Sequence, residues 1–492
     1  MWLFQTASRV PRKQAILDEN VSLSFEALYR DAAGIAQWLN SWGEAGQRVL
    51  IVMPSSVPSA VLNLGAMLAG QVAVPIDPLL PPGQLESMRR KIAPRWVFGP
   101  STLRKIWDDP GLLTADTYED LSQWISGAEH SELPAHPDDP SRLLSIVYTS
   151  GTTGEPKGVM LNGANLEAVI HGIVAALALG EDCRIFSPLS FSHTYGLSQL
   201  WLMARTGATL AVVSDIMKVA TIKKILIDQH INTLAGVPYH FTVLTRRGEK
   251  ERLDSIRLVT IAGEAPTRHL LQRVRMAYPK ARIHILYGLT EASTRLTTLP
   301  SEDLEKGERC IGLPIDGVEL KIVDEEGKEL GPHEEGVLIA RGKNISPGYW
   351  KDEELTRRTI VNGWLHTGDI VKKDERGYFY FVGRKDLVFK SGGKKIIPSV
   401  IEGVLREMEG IRDAAVFGKR DEFLGNRICA VVVRKKGSNL SPEVILSKCR
   451  NRLDRSWIPH EVSFVETIPK SSCGKVQYDA LRRLEDSKGH QE

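Results

Sequence analysis

The chain has 492 residues and 42% hydrophobic composition, enough for a large buried core and too long for a single ordinary one, so two or more domains are expected. Its 63 Lys and Arg against 60 Asp and Glu leave a formal charge of +3, too balanced to imply a nucleic-acid surface or an anionic membrane as partner. Five widely spaced cysteines (Cys183, Cys310, Cys429, Cys449 and Cys473) form neither a CxxC pair nor a Cys/His cluster, and read as reduced thiols of a cytoplasmic protein.

The N-terminal MWLFQTASRVPRKQ lacks a basic region followed by a long apolar run, as a signal peptide requires. Apolar stretches such as 170–179 are too short and interrupted to span a bilayer, so a soluble protein is expected. Residues 46–77 read as strand (RVLIVM), helix (VPSAVLNLGAMLAG) and strand (VAVPI), a βαβ unit with Pro and Gly at the joins. PAHPDDP at 134–140 is a proline-rich surface connection between subdomains. The alternation resumes with a strand at 143–148, a helix at about 164–179, and strands at 210–213, 258–262 and 283–287. This pattern predicts a large α/β body with parallel-type sheets and several subdomains. After Gly363 the texture changes to short strands and hairpin turns, with helices around 399–408 and 442–453 and a polar, frayed tail, DSKGHQE. A small, mobile α+β domain over 384–492 is therefore expected to follow an N-terminal domain over 1–383.

The strongest chemical signal is YTSGTTGEPKG at 148–158, where an apolar strand ends in hydroxyls and glycines ahead of a helix. Glycines let the backbone approach phosphate oxygens, hydroxyls donate to them, and Lys157 adds positive charge, so a polyphosphate is the natural ligand. No GK[ST] follows at Walker spacing, which excludes a P-loop ATPase. A bare Ser/Thr/Gly turn would explain any four of these residues but not the whole ordered run.

In this loop the sequence resembles the adenylate-forming superfamily of acyl-CoA synthetases, peptide-synthetase adenylation domains and luciferases. Further matches follow in family order: GVP at 236–238, AGEAP at 262–266, YGLTEAS at 287–293, RGKNISPGYW at 341–350, GWLHTGD at 363–369, GRKDLVFKSGGKKIIPSVIE at 383–402 and PKSSCGKV at 469–476. The resemblance covers essentially the whole chain. It implies nucleotide binding by Thr149, Ser150, Gly151, Thr152, Thr153, Gly154 and Lys157, by Gly263, Glu264 and Ala265, by Tyr287 and Gly288, by Asp369 on the ribose, and by Arg384. It places Thr290 near the phosphate and Glu291 on Mg²⁺, a hard cation often held by one carboxylate plus substrate phosphates. Without the resemblance, Thr290 and Glu291 would read as the capped start of a helix.

Lys475 matches the lysine brought to the substrate carboxylate and α-phosphate, and is expected to be the chief catalytic side chain. His193, in FSHTYGL, matches a histidine beside the reacting carboxylate; a core histidine is the plain alternative. Asp386 falls at the interdomain hinge. Lys390, Gly392, Gly393 and Lys394 fall near the acceptor thiol, where basic groups would meet a CoA phosphate or an acidic carrier protein, unless they form only a solvated turn.

The chain also departs from its relatives. Ser192 stands where amino-acid-activating enzymes have an aspartate, so an acid without an α-amine is favoured. AGEAP is closer to the peptide-synthetase form, and Val400 replaces the first of two usual acidic residues while Glu402 is kept. The implied function is ATP-dependent activation of a carboxylic acid as acyl-AMP, with Mg²⁺, then transfer to a thiol, CoA first. The alternatives are an acyl-AMP ligase loading a carrier-protein phosphopantetheine, a non-catalytic nucleotide-binding regulator, and an oxidative, luciferase-like second step. The two half-reactions are expected to share one active site between large and small domains, the small one turning at Asp386.

Overall fold

The computed structural model describes residues 2–107, 112–126, 139–149, 156–246, 252–307, 309–470 and 476–488. They pack as two compact units, Met1–Leu320 with Ala340–His366, and Lys321–Ile339 with Thr367–Glu492. Mixed α/β layering dominates the first, as the alternating pattern predicts.

In the first unit one sheet runs Leu112–Thr114, Trp96–Gly99, Arg48–Val52, Val72–Ile76, Leu143–Thr149 and Lys157–Asn162 in spatial order. All neighbours are parallel except the last pair. A second sheet holds the parallel run Arg282–Tyr287, Leu258–Ile261, Thr233–Gly236, Arg184–Ser187, Thr209–Val212 and Gln14–Leu17. Strands covered on both faces need continuous apolar residues, and RVLIV, VAVPI and LVTI supply them. Helices Val57–Leu68, Gly163–Leu177 and Thr194–Thr206 bury side chains against the strands, with Trp201, Phe98 and Phe186 fully enclosed. Burial of each such ring contributes about 1.5–3 kcal/mol.

The helix expected at about 164–179 is found at Gly163–Leu177, and a strand that was not expected precedes it. Residues 157–162 pair antiparallel with 143–149, Thr149 opposite Lys157, and helix Gly163–Leu177 starts only after Asn162. The reason is compositional: VML after Gly158 is short, apolar and buried on alternate sides, so it completes the sheet edge before the Asn162 cap. The Pro134–Pro140 connection lies outside the described residues except for Asp139 and Pro140, and residues 489–492 of the tail also lie outside them.

The second unit contains the hairpin Ile411–Asp421 with Gly425–Arg434, Glu461–Phe464 parallel to the latter, and helices Pro398–Arg406 and Pro442–Arg450 packed on them. Cys183, Cys310, Cys429 and Cys449 are buried and form no disulfide among the described residues; Cys473 lies outside them. Among the described residues no helix is long and apolar enough to cross a membrane.

Asn165 joins two parts of the first unit. Its Oδ1 accepts from Asn162 N at 2.9 Å, closing a capping box, and its Nδ2 donates to Lys343 O at 2.9 Å and Ile345 O at 2.7 Å. Asn165→Leu keeps volume but strips these bonds from buried groups. Chemical denaturation should show a loss of about 2–4 kcal/mol; a loss under about 0.5 kcal/mol would mean that the 341–350 segment does not depend on this anchor.

Candidate active site

In the second sheet four motifs follow the carboxyl ends of parallel strands: 187–193 after Arg184–Ser187, 236–238 after Thr233–Gly236, 262–266 after Leu258–Ile261, and 287–293 at the end of Arg282–Tyr287. In open parallel sheets this edge is where ligands bind, because the strand connections splay there and leave a crevice. Ala262 N donates to Gly236 O at 3.2 Å, joining two of these ends. Gly263 takes φ +90°, with Glu264 and Ala265 exposed beyond it. A left-handed residue at Gly263 turns the backbone outward.

The 287–295 turn is unusually tight. A Cβ on Gly288 would lie 2.0 Å from Thr294 O, so only glycine fits. Ser293 and Thr294 have φ of 56° and 103°; the β-branched Thr294 is strained there, a state that persists only when the surroundings impose it. The 341–350 segment imposes it. Ser293 Oγ donates to Asn344 O at 2.7 Å, and Asn344 Nδ2 donates to Ala292 O at 3.2 Å and Arg295 O at 3.0 Å. Ser346 N donates to Glu291 O at 2.8 Å.

Glu291 itself accepts on Oε1 from the Tyr349 hydroxyl at 2.7 Å. The Tyr349 backbone forms an antiparallel bridge with Val159, flanked by Trp350 N to Gly158 O at 2.7 Å and Met160 N to Gly348 O at 3.0 Å. The 341–350 strap thus lies along the strand Lys157–Asn162 and fixes the Glu291 carboxylate at the same point. Thr149 and Lys157 pair as partners across the Thr/Gly-rich motif; Ser150, Gly151, Thr152, Thr153 and Gly154 lie outside the described residues.

Among the described residues no three His, Cys, Asp or Glu side chains cluster as a ready-made metal cage. A lone carboxylate oriented by a phenol, on the loop-bearing edge, fits Mg²⁺ shared with substrate phosphates and would not suit a structural Zn²⁺ site.

His193 precedes helix Thr194–Thr206 and is partly buried. Its loop is pinned: Ser55 Oγ donates to Leu189 O at 3.1 Å and accepts from Phe191 N at 2.8 Å, and Gly196 has no room for a Cβ, which would meet Ser190 O at 2.0 Å. Two residues on, the Tyr195 hydroxyl sits 2.8 Å from Thr260 Oγ1, one strand position inside the sheet edge.

In the second unit Asp369 and Arg384 face each other in register on adjacent antiparallel strands. Arg384 Nη1 donates to the buried Asp369 Oδ1 at 2.9 Å, and its Nε to Asp386 Oδ1 at 3.1 Å. Burial alone would lower the Arg384 pKa, but the two carboxylates, Asp369 foremost, outweigh it and raise it. Arg384 therefore stays charged. Lys390, Gly392, Gly393 and Lys394 form a two-residue hairpin with φ of 54° and 76° at the glycines, its lysines exposed, and Gly392 N donates to Leu424 O at 2.9 Å. Lys475 lies outside the described residues; Lys470 and Val476, on either side of it in sequence, pair as an antiparallel bridge.

Sequence reasoning missed Tyr349, Asn344 and Arg295. The first two sat inside a recognised motif whose Gly, Pro and polar residues give no strand period; Arg295 follows Ser and Thr and looks like a surface residue.

Two family models match the chain, AMP-binding enzyme over residues 3–350 and AMP-binding enzyme C-terminal domain over residues 400–475. The 2-succinylbenzoate–CoA ligase of Bacillus cereus (strain ATCC 14579) is 28% identical over 487 residues, covering 98% of each chain. That of Bacillus cytotoxicus is 27% identical over 494 residues, covering 99% of each. Among solved structures, ATP-bound MatB from Rhodopseudomonas palustris is similar at TM-score 0.90 and 27% identity, covering 98% of each chain. The o-succinylbenzoate CoA synthetase (MenE) of Bacillus subtilis with its acyl-adenylate OSB-AMP has TM-score 0.88 and 24% identity over 98% of this chain and 97% of that one, a likeness of fold.

His240, beside the 236–238 motif, provides a test of this edge. Burial lowers its pKa from 6.5 to about 4, and its Nδ1 accepts from Val237 N at 3.4 Å. Between those values the unfolded chain binds a proton that the fold excludes, so stability is full above pH 6.5 and is lost as pH falls toward 4, by up to about 1.4 kcal/mol per pH unit. The stability gap between wild type and His240→Asn, read from urea titrations, should narrow from pH 7 to 4.5; a constant gap would mean that His240 titrates normally in the fold.

Proposed function

This chain belongs to the family of AMP-binding enzymes, and from that premise we propose that it is an ATP-dependent acid–thiol ligase that makes an acyl-CoA. The observation that best supports this reading is the Glu291 carboxylate, held by Tyr349 at the carboxyl edge of the parallel sheet, on the same strap that flanks the strand leaving the Thr/Gly-rich loop. The relatives named 2-succinylbenzoate–CoA ligase carry out a reaction of this class, which supports CoA as acceptor.

In the first half-reaction a carboxylate oxygen attacks the α-phosphorus of ATP, the bond to the bridging oxygen breaks, and pyrophosphate leaves with the electron pair. In the second, the CoA sulfur attacks the acyl carbon of the mixed anhydride and AMP departs. Glu291 would hold Mg²⁺, which when bound offsets charge on the phosphates. Backbone and hydroxyl groups of 149–154 with Lys157 cradle the phosphates. Thr290 lies beside the α-phosphate, His193 beside the reacting carboxylate, and Tyr287, Gly288, Gly263, Glu264 and Ala265 form the adenine side. Asp369, paired with Arg384, accepts from the ribose hydroxyls. Lys475 donates to the substrate carboxylate and α-phosphate during the first step. Residues 384–492 then turn about Asp386, and the 390–394 hairpin faces the incoming CoA with exposed lysines. CoA is taken as acceptor over a carrier-protein phosphopantetheine.

Pyrophosphate release with MgATP across a panel of carboxylic acids is the deciding measurement. Acid-dependent release is expected, falling on the order of 100–1000-fold in Lys475→Ala; no acid-dependent release would sink the ligase reading. Thioester formation should be seen with CoA, and formation only with a loaded carrier protein would replace CoA as the acceptor. Tyr349→Phe keeps the backbone bridge and frees Glu291, so it should raise the Mg²⁺ concentration needed for half-maximal release several-fold while costing no more than about 1.5 kcal/mol of stability. An unchanged Mg²⁺ requirement would separate Tyr349 from the metal site.

A further inference from the structure

Each of the two sheets of the first unit presents a carboxyl edge, and one buried hydroxyl ties the two edges together. Ser55 follows strand Arg48–Val52 of the first sheet, two strands away from Leu143–Thr149, whose carboxyl end opens the Thr/Gly-rich motif. The intervening pairs are parallel, so Ser55 and Thr149 belong to the same edge. Ser55 Oγ donates to Leu189 O at 3.1 Å and accepts from Phe191 N at 2.8 Å, in the segment that follows strand Arg184–Ser187 of the second sheet. A hydroxyl donates and accepts through one atom, so a single small side chain satisfies both groups. Ser55 is 5% exposed, and losing it would strip a partner from two backbone groups in a setting poor in water.

Both ends of this link are themselves held. On the side of the first sheet, Ser56 caps helix Val57–Leu68 by accepting from Ser59 N at 3.4 Å, and Val57 N donates to Asp18 Oδ2 at 2.8 Å. On the other side the 189–193 turn closes on itself. Ser190 Oγ lies 2.8 Å from Ser192 Oγ and accepts from Ser192 N at 3.2 Å, while His193 N donates to Ser190 O at 3.2 Å. Gly196, in the first turn of helix Thr194–Thr206, packs against the same carbonyl. The turn that carries His193 is thus compact, and the Ser55 hydroxyl couples it to the first sheet.

We propose that Ser55 is a positioning residue for adenylation: by tying the 189–193 turn to the first sheet, it fixes the distance between His193 and the carboxyl end of Leu143–Thr149. This rests on the adenylation reading above, which puts His193 beside the reacting carboxylate and the phosphates at the end of that strand. The two reactants are then carried by different sheets. Attack of a carboxylate oxygen on the α-phosphorus needs the reacting atoms about 3–3.5 Å apart and aligned, and a misplacement of about 1 Å costs on the order of 100-fold in rate. Ser55 touches neither reactant and acts through the turn.

The test follows both half-reactions in wild type, Ser55→Ala and Ser55→Thr, with the acid of the panel that releases most pyrophosphate. Ser55→Ala should lower kcat for pyrophosphate release on the order of 10–100-fold with KM for ATP unchanged, and Ser55→Thr, which keeps the hydroxyl, should recover most of the loss. Thioester formation from supplied acyl-AMP should change less than about 3-fold, because that molecule already joins the acid to the phosphate. An unchanged kcat, or a parallel loss in both half-reactions, would overturn the proposal. The second readout needs no turnover: carbethoxylation of His193 by diethyl pyrocarbonate, measured by peptide mass spectrometry against the exposed His269. His193 Nε2 is buried, and its labelling should be several-fold faster in Ser55→Ala; an equal rate overturns the proposal. If no acid releases pyrophosphate in wild type, the ligase reading fails, and the labelling alone decides whether Ser55 holds His193. Ser55→Cys, close in volume but a weak donor and acceptor, replaces Ser55→Ala in both assays if that variant fails to fold.

Discussion

The hydrogen bond from the Tyr349 hydroxyl to Glu291 is the contact on which the first unit's site depends, because the residue that makes it is also paired through its backbone with Val159. One residue therefore sets the distance between the strand Lys157–Asn162 and the carboxylate at the end of the parallel sheet. The rest of the strap repeats the device. Ser346 reaches Met160 O through its hydroxyl and Glu291 O through its amide, Asn344 holds the 287–295 turn, and Asn165 ties the strap to the following helix. A segment of Gly, Pro and polar residues cannot bury an apolar face. It is held by satisfied polar groups, which in a desolvated setting are strong and directional.

The second unit fixes its own groups differently. Arg384 bridges Asp369, across the strand pair, and Asp386, two residues ahead, so the proposed ribose ligand and the proposed hinge residue share one cation. Any change of backbone at 385–387 must keep or break the Arg384–Asp386 link, while the in-register strand pair preserves Arg384–Asp369. The Glu402 kept from the signature has a different office. Burial raises its pKa, and it accepts from Val416 N at 2.9 Å and from the Tyr478 hydroxyl at 2.8 Å. That contact anchors the helix beginning at Tyr478, just beyond the bridge between Lys470 and Val476.

The legible parts of the sequence were those whose physics is local. Strands such as Arg48–Val52 and Leu258–Ile261 announce themselves as continuous apolar runs because both faces are covered. Gly288 and Gly392 stand where a side chain or a negative φ is impossible, so motif and backbone agree. The strand at Lys157–Asn162 was hidden by its brevity and by the helix signal right after it. Tyr349 and Asn344 reach the 287–295 turn from about 50 residues away in sequence, which no local pattern encodes. Arg295 was the least legible of all: charge and polar neighbours mark it as solvated, and it is almost wholly buried.

That contradiction points back to the turn itself. Ser293 and Thr294 occupy left-handed backbone at a cost of about 1–3 kcal/mol each, which an unconstrained loop would relax by extending. Extension would move Glu291 away from Tyr349 and Arg295 out of its buried position together, since both sit on the same hydrogen-bonded loop, closed by Leu296 N to Tyr287 O at 2.9 Å. The strain and the buried cation are thus two consequences of one arrangement. A single tight turn directs a carboxylate to the Tyr349 hydroxyl at the sheet edge and a guanidinium into the layer beneath it.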